Sequence, residues 1–446
     1  MNKATQDSSR KGILNHDIEV SVNSQKKVSH SVERRAVFAA ALGNILEWYD
    51  FAVYAFFATI IAKQFFSSPD AVTALLSAFA AFGVGFAVRP LGGIILGHLA
   101  DVRGRKFALL VTMFMMAAST VMLGLIPSYH SIGVAATVLV VVARLFQGFS
   151  AGGEWGGATA FIVEWSPPNR RGLFGSFQQC STGAGILLGS TVAAIFGSLM
   201  SSATLEAWGW RIPFFMGGIL GPIGLYMRRN IDETPAFKRV YASAPETPAK
   251  SQSPVLLAAK AFGFAAAWNG IYYIFLAYMP TFAMKYLGLN RAEALWSNSA
   301  GLVALIVAVP FMGRLSDSIG RKPVLLTCCG IFIFLAYPGL SYAIGHPSIG
   351  LVLILQLFFG VSIATFSGPG PAAIAEIFPT RIRSTWMSFG YSIAAATFGG
   401  FAPFIATWLI RQTGNPISPM YFVIGSSIFS ALVIFRLPET AGKELS

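Results

Sequence analysis

Two carboxylates, Glu47 and Asp50, lie three residues apart in the first long apolar stretch of the chain. On an α-helix this spacing places both on one face, with Tyr54 one turn further along. Neighbouring carboxylates repel each other as anions, so one of them can take up a proton. The pattern predicts a proton-carrying site with Asp50 as the first candidate. The alternative is that one carboxylate caps or pairs a helix end.

A second polar stripe lies in the fourth apolar stretch, where Arg144, Gln147 and Glu154 recur at helical spacing. At about 1.5 Å rise per residue, Arg144 lies roughly 15 Å from Glu154 and near mid-membrane. A buried arginine could bind a carboxylate of a cargo, or hold Asp50 or Glu47 ionised until a proton displaces it. The alternative is a fixed salt bridge that only positions helices. For Glu154 we expect either coupling or structural pairing.

Polar side chains that could contact a cargo lie in other apolar stretches. Asn269, Tyr272 and Tyr273 share one face of the seventh stretch, where hydrogen-bond donors adjoin aromatic surface. Arginine would favour an anionic cargo, whereas aromatic rings would favour a betaine-like cationic head group. Packing between helices is the alternative role. The predicted substrate-binding residues are Tyr54, Arg89, Arg144, Gln178, Gln179, Asn269, Tyr272, Tyr273 and Asn298.

The elements that must position these residues follow from composition. The chain has 446 residues, of which 54% are hydrophobic and only 11% charged. The apolar residues gather into runs that approach or exceed the roughly 20 residues needed to cross a bilayer. The sequence therefore predicts an all-α membrane protein with twelve transmembrane helices. The runs are 36–62, 72–98, 107–126, 132–158, 172–199, 210–228, 257–283, 294–313, 323–344, 348–373, 384–410 and 419–436.

The net charge of +13 follows the predicted topology. Lysine and arginine concentrate in the N-terminal tail, in alternate connections and at the C-terminal end. Such a bias predicts that both termini lie on the cytoplasmic side of a bacterial-type inner membrane. The basic charge is thus explained without nucleic acid, which we do not expect as a partner.

The most specific pattern is a duplicated charged hinge. Residues 97–106 read GHLADVRGRK and residues 313–322 read GRLSDSIGRK, with six of ten positions identical. Glu164 and Glu376 also correspond, since each precedes a pair of arginines. Duplicated units in a membrane protein indicate a transporter. The predicted gating latch comprises Gly97, Asp101, Arg103, Gly104, Arg105, Lys106, Glu164, Gly313, Asp317, Gly320, Arg321, Lys322 and Glu376.

The domain organisation follows from the repeat and from a polar stretch in the middle of the chain. That stretch holds several prolines and basic residues, which is typical of a linker. We predict a disordered cytoplasmic tail, a six-helix bundle, a cytoplasmic linker, a second six-helix bundle and a cytoplasmic tail. Their bounds are 1–35, 36–229, 230–256, 257–437 and 438–446.

These motifs resemble those of the major facilitator superfamily. The first hinge, residues 144–152 (RLFQGFSAG) and residues 438–440 (PET) carry the resemblance. A closer resemblance to the metabolite:proton symporter family lies in EWYDF at 47–51, RPLGG at 89–93, GFSAGGEWGG at 148–157 and WGWRIPF at 208–214. It implies two pseudo-symmetric bundles that expose a central site to each side in turn. It also implies that Arg144 acts in proton coupling, and that the hinge stabilises the outward-open state. Relatives carry α-ketoglutarate, citrate, shikimate, or proline and betaine.

The sequence therefore predicts a secondary transporter that imports a small organic acid, a mono-, di- or tricarboxylate, together with protons. Alternatives are a proline/betaine-type zwitterion symporter, a proton antiporter and a nutrient sensor with a transporter fold. We expect no enzymatic activity, no cofactor and no metal, because no nucleophile–base pair, metal cluster or nucleotide motif emerges. The expected partners are the substrate, protons and the lipid bilayer, and the functional unit is expected to be a monomer.

Overall fold

The computed structural model describes residues 44–103, 105–152, 154–229, 253–379, 382–443 and 445. The side chains of Glu154 and of residues 100–109 also lie outside the described part, so the predicted roles of Glu154 and of the first hinge from Asp101 to Lys106 fall there. The predicted tail 1–35 and most of the predicted linker lie outside it as well. Throughout the described ranges the chain is helical and contains no strand.

Six helical segments form the N-terminal half. Three of them are interrupted, because α1 bends by 66° at Phe57 and short breaks divide α2 and α4. The segments are α1 (Asn44–Phe56 and Ala58–Phe65), α2 (Ala71–Ala87 and Arg89–Arg103), α3 (Arg105–Leu125), α4 (Val134–Ala151 and Glu154–Trp165), α5 (Arg171–Leu199) and α6 (Ile212–Arg229).

The C-terminal half repeats this order, with a π-helical turn inside two of its segments. The segments are α7 (Pro254–Tyr272, π turn Tyr273–Tyr278 and Met279–Tyr286), α8 (Arg291–Ile319), α9 (Arg321–Gly345), α10 (Ile349–Ser367 and Gly370–Ala375), α11 (Arg383–Ala394, π turn Ala395–Gly400 and Ala402–Thr413) and α12 (Pro419–Arg436).

These twelve segments confirm the predicted all-α, twelve-helix architecture. Among the described helices, nine are long and apolar enough to cross a membrane, and the bent pair of α1 makes a tenth. The segment bounds agree with the apolar runs to within several residues. At the second hinge, α8 continues to Ile319, and only Gly320 separates it from α9. Gly320 turns the chain at φ +101°, a conformation that favours glycine.

Glycine pairs bring helices into backbone contact at equivalent places in the two halves. In the N-terminal half, a side chain on Gly148 of α4 would collide with the carbonyl oxygen of Gly85 in α2. In the C-terminal half, Gly360 of α10 lies in the same way against Gly301 of α8. Small residues at such crossings are how membrane helices pack without a hydrophobic driving force. The close α2–α4 contact places Arg89 and Arg144 near each other.

The two halves meet along α5 with α8 and along α2 with α11. Gly172 at the inner end of α5 lies against the carbonyl oxygen of Gly313 in α8. Gly400 in α11 lies against the ring of Phe86 in α2. Contacts between the halves occur at both ends of the molecule, as described below, so the interior between them is closed from either side.

Candidate functional site

A chain of hydrogen bonds connects Arg144 to Asp50 through three helices of the N-terminal half. The Arg144 Nη1 group donates to Gln147 Oε1 over 2.6 Å. Gln147 Nε2 donates to Thr120 Oγ1 over 2.9 Å, and Thr120 Oγ1 donates to Asp50 Oδ2 over 2.7 Å. Arg144 and Asp50 thus communicate through a relay of two neutral side chains.

Both ends of this relay keep polar atoms without partners. Arg144 is fully buried, and its Nε and Nη2 groups have no hydrogen-bond acceptor among the described residues. Asp50 is 4% exposed, and its Oδ1 atom likewise lacks a donor there. Buried unpaired polar atoms are costly, by about 1–3 kcal/mol for a neutral group and more for a charged one. Atoms left in this state at membrane depth are where a ligand or a proton would bind.

Glu47 and Arg89 form a second charged pair beside the relay. Arg89 Nη2 lies 3.4 Å from Glu47 Oε1, and both side chains are almost completely buried. The guanidinium carbon of Arg89 is 4.6 Å from the ring centroid of Phe51, and that of Arg144 is 4.7 Å from the same ring. Phe51 is therefore in cation–π contact with both arginines. The two arginines and two carboxylates bring the formal charge of this region to zero.

Aromatic rings extend from these charges to the C-terminal half. Trp48 lies 6.4 Å from Tyr272 and 6.2 Å from Tyr273, measured between ring centroids. Phe86, whose ring is 4.1 Å from the Arg89 guanidinium, contacts Tyr273 edge to face at 5.3 Å. The hydroxyls of both tyrosines and the indole N–H of Trp48 are buried without a partner in the described part of the chain. We call this region, with Trp48, Phe86, Arg89, Tyr272 and Tyr273, the central chamber.

Other predicted substrate-binding residues form hydrogen bonds within the protein. Tyr54 donates to the carbonyl oxygen of Ala78, although its ring lies 4.5 Å from the Arg144 guanidinium. Asn269 donates to the Ala265 carbonyl oxygen, and Asn298 to the Leu276 carbonyl oxygen. The bonds of Tyr54 and Asn298 each join two helices, whereas that of Asn269 lies within α7.

The two adjacent glutamines of α5 differ in how fully their amides are bonded. Gln179 Nε2 donates to Gln178 Oε1 over 2.5 Å. The Gln178 Nε2 group has no acceptor within the described residues. Gln178 therefore keeps a buried donor available near the chamber, whereas Gln179 supports its neighbour.

Sequence reasoning missed an aromatic contact that closes the chamber toward the inner end. Trp155 of α4 stacks on Tyr391 of α11 with ring centroids 3.6 Å apart and planes 3° from parallel. Trp268 of α7 contacts both rings edge to face, and its N–H donates to Ser367 Oγ. The tryptophan of the GGEWGG motif was visible in the sequence, but its partner in the other half was not.

Several residues of the predicted latch form ion pairs between the two halves at the inner end. Arg383 Nη1 bonds Glu164 Oε1 at 2.7 Å across the two halves. Arg171 in the N-terminal half lies 4.0 Å from Glu376 in the C-terminal half. The repeat-related glutamates thus pair with arginines of the opposite half.

The second hinge is built into this latch. Asp317 accepts hydrogen bonds from the backbone N–H groups of Gly172 and Leu173, at the beginning of α5. Arg321 donates to Asp317 over 2.7 Å and lies 3.2 Å from Glu376. A carboxylate at a helix N-terminus is favoured by the helix dipole. Gly313 and Asp317 therefore contact the N-terminal half, and Arg321 holds Asp317 and Glu376 from within its own half.

The segment after α12 also binds to the latch. Glu439 accepts hydrogen bonds from the backbone N–H groups of Arg321 and Lys322, at the beginning of α9. Thr440 donates to Glu376, and the Lys443 carbonyl oxygen accepts from Arg171. Burial would raise the pKa of Glu439, but the backbone N–H donors outweigh it and lower the pKa below 4.5.

Two arginines of the C-terminal half close the outer end, and the sequence analysis did not single them out. Arg291 donates to the Phe56 carbonyl oxygen at the bend of α1 and to Thr59 Oγ1. Arg411 of α11 lies 3.3 Å from Asp70 Oδ2, with both side chains about half exposed. Hydrogen bonds to Val72 and Thr73 lower the pKa of Asp70, which caps α2. The outer contacts are more exposed to solvent than the inner ones.

Known proteins match this chain over most of its length. A family model described as "Sugar (and other) transporter" matches residues 36–250, and one described as "Major Facilitator Superfamily" matches residues 271–446. The glycine betaine/proline/ectoine/pipecolic acid transporter OusA of Dickeya dadantii is 35% identical, with 92% of this chain and 84% of that protein covered. The proline/betaine transporter of Escherichia coli (strain K12) is also 35% identical, with 92% and 85% covered.

Solved structures show the same fold at low sequence identity. The proton:xylose symporter XylE bound to 6-bromo-6-deoxy-D-glucose superposes with a TM-score of 0.75 at 18% identity, covering 93% of this chain and 98% of that one. The inward-open form of XylE from E. coli gives 0.71 at 20% identity, with 92% and 97% covered. The chain is a multi-pass transporter of small molecules rather than an enzyme, and it belongs to the major facilitator superfamily.

Proposed function

We propose that this transporter carries a small zwitterion, with betaine and proline as model cargoes, in symport with protons by alternating access. The observation that carries the proposal is the composition of the central chamber. It combines an aromatic surface with arginine N–H groups that lack acceptors, and these two surfaces complement the two ends of a zwitterion. The relatives named as proline/betaine transporters support the same cargo class.

The aromatic part of the chamber suits the cationic end of such a cargo. Trp48, Tyr272 and Tyr273 come from both halves and lie with ring centroids 6.2–6.4 Å apart. A quaternary ammonium group donates no ordinary hydrogen bond, and aromatic faces attract it through their quadrupoles. A cage formed by α1 and α7 would close only when the two halves approach, which ties cargo binding to the conformational change.

The arginines suit the anionic end. Arg89 Nε and two N–H groups of Arg144 have no acceptor among the residues described. A carboxylate could accept from such groups through two parallel bonds, which are stronger than neutral hydrogen bonds. The free hydroxyls of Tyr272 and Tyr273 could add further donors to the same carboxylate.

The charge balance of the N-terminal half couples cargo to protons. Glu47, Asp50, Arg89 and Arg144 together carry no net charge when all are ionised. Protonation of Asp50 leaves one uncompensated positive charge, which is expensive at membrane depth. The carboxylate end of the cargo can pair with the arginine that has lost its counter-ion, while its cationic end lies against the aromatic rings, so proton and cargo favour each other's binding. The Gln147–Thr120 relay transmits the state of Asp50 to Arg144.

A small organic acid, which the sequence analysis ranked first, stays as the second candidate. Arg89 and Arg144 together could bind a cargo with two or more carboxylates. The aromatic wall and the relatives give no support to that choice over a zwitterion.

We further propose that both termini lie in the cytoplasm and that the monomer is the functional unit. The alternate connections that carry most of the lysines and arginines support this orientation. The arginine-rich latch would then be the cytoplasmic gate, and the Arg291 and Arg411 contacts the outer gate.

The experiment is counterflow and pH-driven uptake in proteoliposomes. We expect radiolabelled betaine to exchange with internal betaine or proline, but not with citrate, α-ketoglutarate or shikimate. An inward proton gradient should drive accumulation by the wild type. Asp50→Asn should still exchange cargo but not accumulate it, whereas Glu206→Gln, a control at a solvent-exposed glutamate that bonds Lys63, should accumulate normally. Exchange of organic acids alone would favour the second candidate, and wild-type uptake that ignores the gradient would contradict proton coupling.

A further inference from the structure

A small pocket lies inside the N-terminal bundle and is separate from the central chamber. The cavity volume is about 20 Å³. The ten lining residues all belong to α1, α3, α4 and α6, so the wall is formed by one half alone. They are Leu46, Glu47, Asp50, Thr112, Met113, Met116, Ala117, Ser150, Gly217 and Gly221. A cavity of this size can hold one water molecule if polar groups line it.

The Asp50 side chain reaches this pocket with the oxygen that the relay does not use. Its Oδ2 atom is bound by Thr120, while Oδ1 lacks a donor among the described residues. A Cβ atom built on Gly217 would lie 2.5 Å from Oδ1, so this oxygen faces α6. Because Gly217 has no side chain, Asp50 Oδ1 can lie beside its backbone at the edge of the pocket, a position that a Cβ atom would block.

Further oxygen atoms on the pocket wall could hold a water molecule. Ser150 Oγ donates its hydrogen to the Thr112 carbonyl oxygen over 2.5 Å and keeps its lone pairs as acceptors. Glu47 contributes a carboxylate to the wall. A buried water molecule forms two to four hydrogen bonds and can donate two of them, which Asp50 and either Glu47 or Ser150 could accept.

We propose that this pocket holds a water molecule that delivers the transported proton to Asp50, and that Gly217 is the positioning residue that keeps the water site open. The proposal rests on the proton symport proposed above. In the transfer, the water accepts a proton from solvent while one of its O–H bonds passes a proton to Asp50 Oδ1. The water stays neutral and Asp50 becomes a carboxylic acid, and the reverse steps release the proton.

None of the residues that define the central chamber lines this pocket, so in this proposal the proton reaches Asp50 without passing the cargo. From the chamber, Asp50 is reached through Arg144, Gln147 and Thr120, whose bonds close that side. The charged or titratable groups around Asp50 are Glu47 and Tyr49 on α1, Arg89 on α2 and Arg144 on α4, since the lining residues of α3 and α6 carry none. The hydroxyl group of Tyr49 donates to the Pro213 carbonyl oxygen.

The test fills the pocket by Gly217→Ala, whose methyl group would lie against Asp50 Oδ1 and 3.0 Å from Thr120 Cγ2. The matched control is Gly330→Ala in α9, where an added methyl meets no atom within 4 Å. We expect Gly217→Ala to retain counterflow and to lose most of the proton uptake that accompanies cargo entry. The infrared carboxylic-acid band of Asp50, identified by its absence in Asp50→Asn, should change its titration midpoint in Gly217→Ala only.

A second variant, Ala117→Val, fills the pocket from α3 and should give the same separation of counterflow from proton uptake. Unchanged proton uptake and an unchanged Asp50 band in Gly217→Ala would overturn the inference. Equal loss of counterflow and proton uptake in both variants would also overturn it, because the wall would then serve packing alone. If the wild type itself moves no protons with cargo, the proposed symport fails and the water site fails with it.

Discussion

The interiors of the two bundles differ more than their folds do. At membrane depth the N-terminal half buries four charged side chains, Glu47, Asp50, Arg89 and Arg144. In the C-terminal half Gln356 occupies the position that corresponds to Arg144, and it bonds Asn298 over a long 3.4 Å. The buried arginines described in that half, Arg321 and Arg383, lie at its inner end.

The repeat therefore preserves the packing that lets the halves move but not their buried charges. Paired glycines and reciprocal latches occur in both halves, because both must rotate against each other. Buried charge is kept on one side only, since every charge at membrane depth must be compensated. We propose that the N-terminal half handles the proton and binds the anionic end of the cargo, and that the C-terminal half supplies the tyrosine rings for its cationic end.

The largest effect is expected when both halves carry glutamine at the corresponding positions 144 and 356. Arg144→Gln introduces the side chain that the C-terminal half already has, and leaves two buried carboxylates with one arginine. We expect accumulation to fall to simple equilibration, measured as betaine uptake under an inward proton gradient. The matched change Gln356→Leu should retain accumulation and cost only about 1 kcal/mol of stability. Similar uptake defects in both variants would refute the asymmetry.

The latch offers the next largest effect, because its two glutamates are not equally buried. Glu376 is 3% exposed and bonds Arg321 and Thr440, whereas Glu164 is 31% exposed and bonds Arg383. Glu376→Gln should therefore destabilise the closed arrangement of the two halves by about 3–5 kcal/mol, as for a broken buried pair. Glu164→Gln should cost about 1 kcal/mol or less.

Thiol labelling of Cys180 measures how often the two halves separate at the inner end. Cys180 lies in α5 beside Ile306 of α8, and Cys328 and Cys329 are fully buried in α9. We expect labelling to rise about fivefold in Glu164→Gln, in line with 1 kcal/mol, and further in Glu376→Gln. Equal rates in the two variants would mean that the halves contribute alike to the inner gate.

A moderate effect is expected for tyrosines that differ in whether their hydroxyl is satisfied. Tyr272→Phe and Tyr273→Phe should weaken cargo binding about threefold to tenfold, the equivalent of one hydrogen bond. Tyr54→Phe, whose hydroxyl already bonds Ala78, should leave affinity unchanged and lower stability slightly. Competition binding by counterflow measures the affinities. A loss of affinity in Tyr54→Phe alone would place the cargo in the N-terminal half.

The smallest effect concerns pH at the helix caps of the two halves. The folded-state pKa of Glu439 is lowered, so its stabilisation is complete above the ordinary value of 4.5 and is lost as pH falls through the folded value. Thermal unfolding should therefore become easier with acid in the wild type, and less steeply so in Glu439→Gln. Asp70, exposed at the α2 cap, should give a smaller difference in Asp70→Asn. A larger change for Asp70 would contradict this order.

The sequence was sufficient for the fold and for most charged residues of the site. Twelve apolar runs encode twelve helices, and charges such as Asp50 and Arg144 stand out against an apolar background. It could not show that the two connect through Thr120, because a threonine in an apolar run has no distinctive pattern. The Trp155–Tyr391 stack joins residues more than 200 positions apart, and such pairing is decided by how the halves pack.

The π turn Tyr273–Tyr278 sets the direction of the tyrosine pair. Such a turn holds one residue more than the α-helix on either side. That extra residue rotates the part of α7 before it by about 100° relative to the part after it. Deleting one residue from the turn would therefore direct Tyr272 away from Trp48 while leaving Met279–Tyr286 in place.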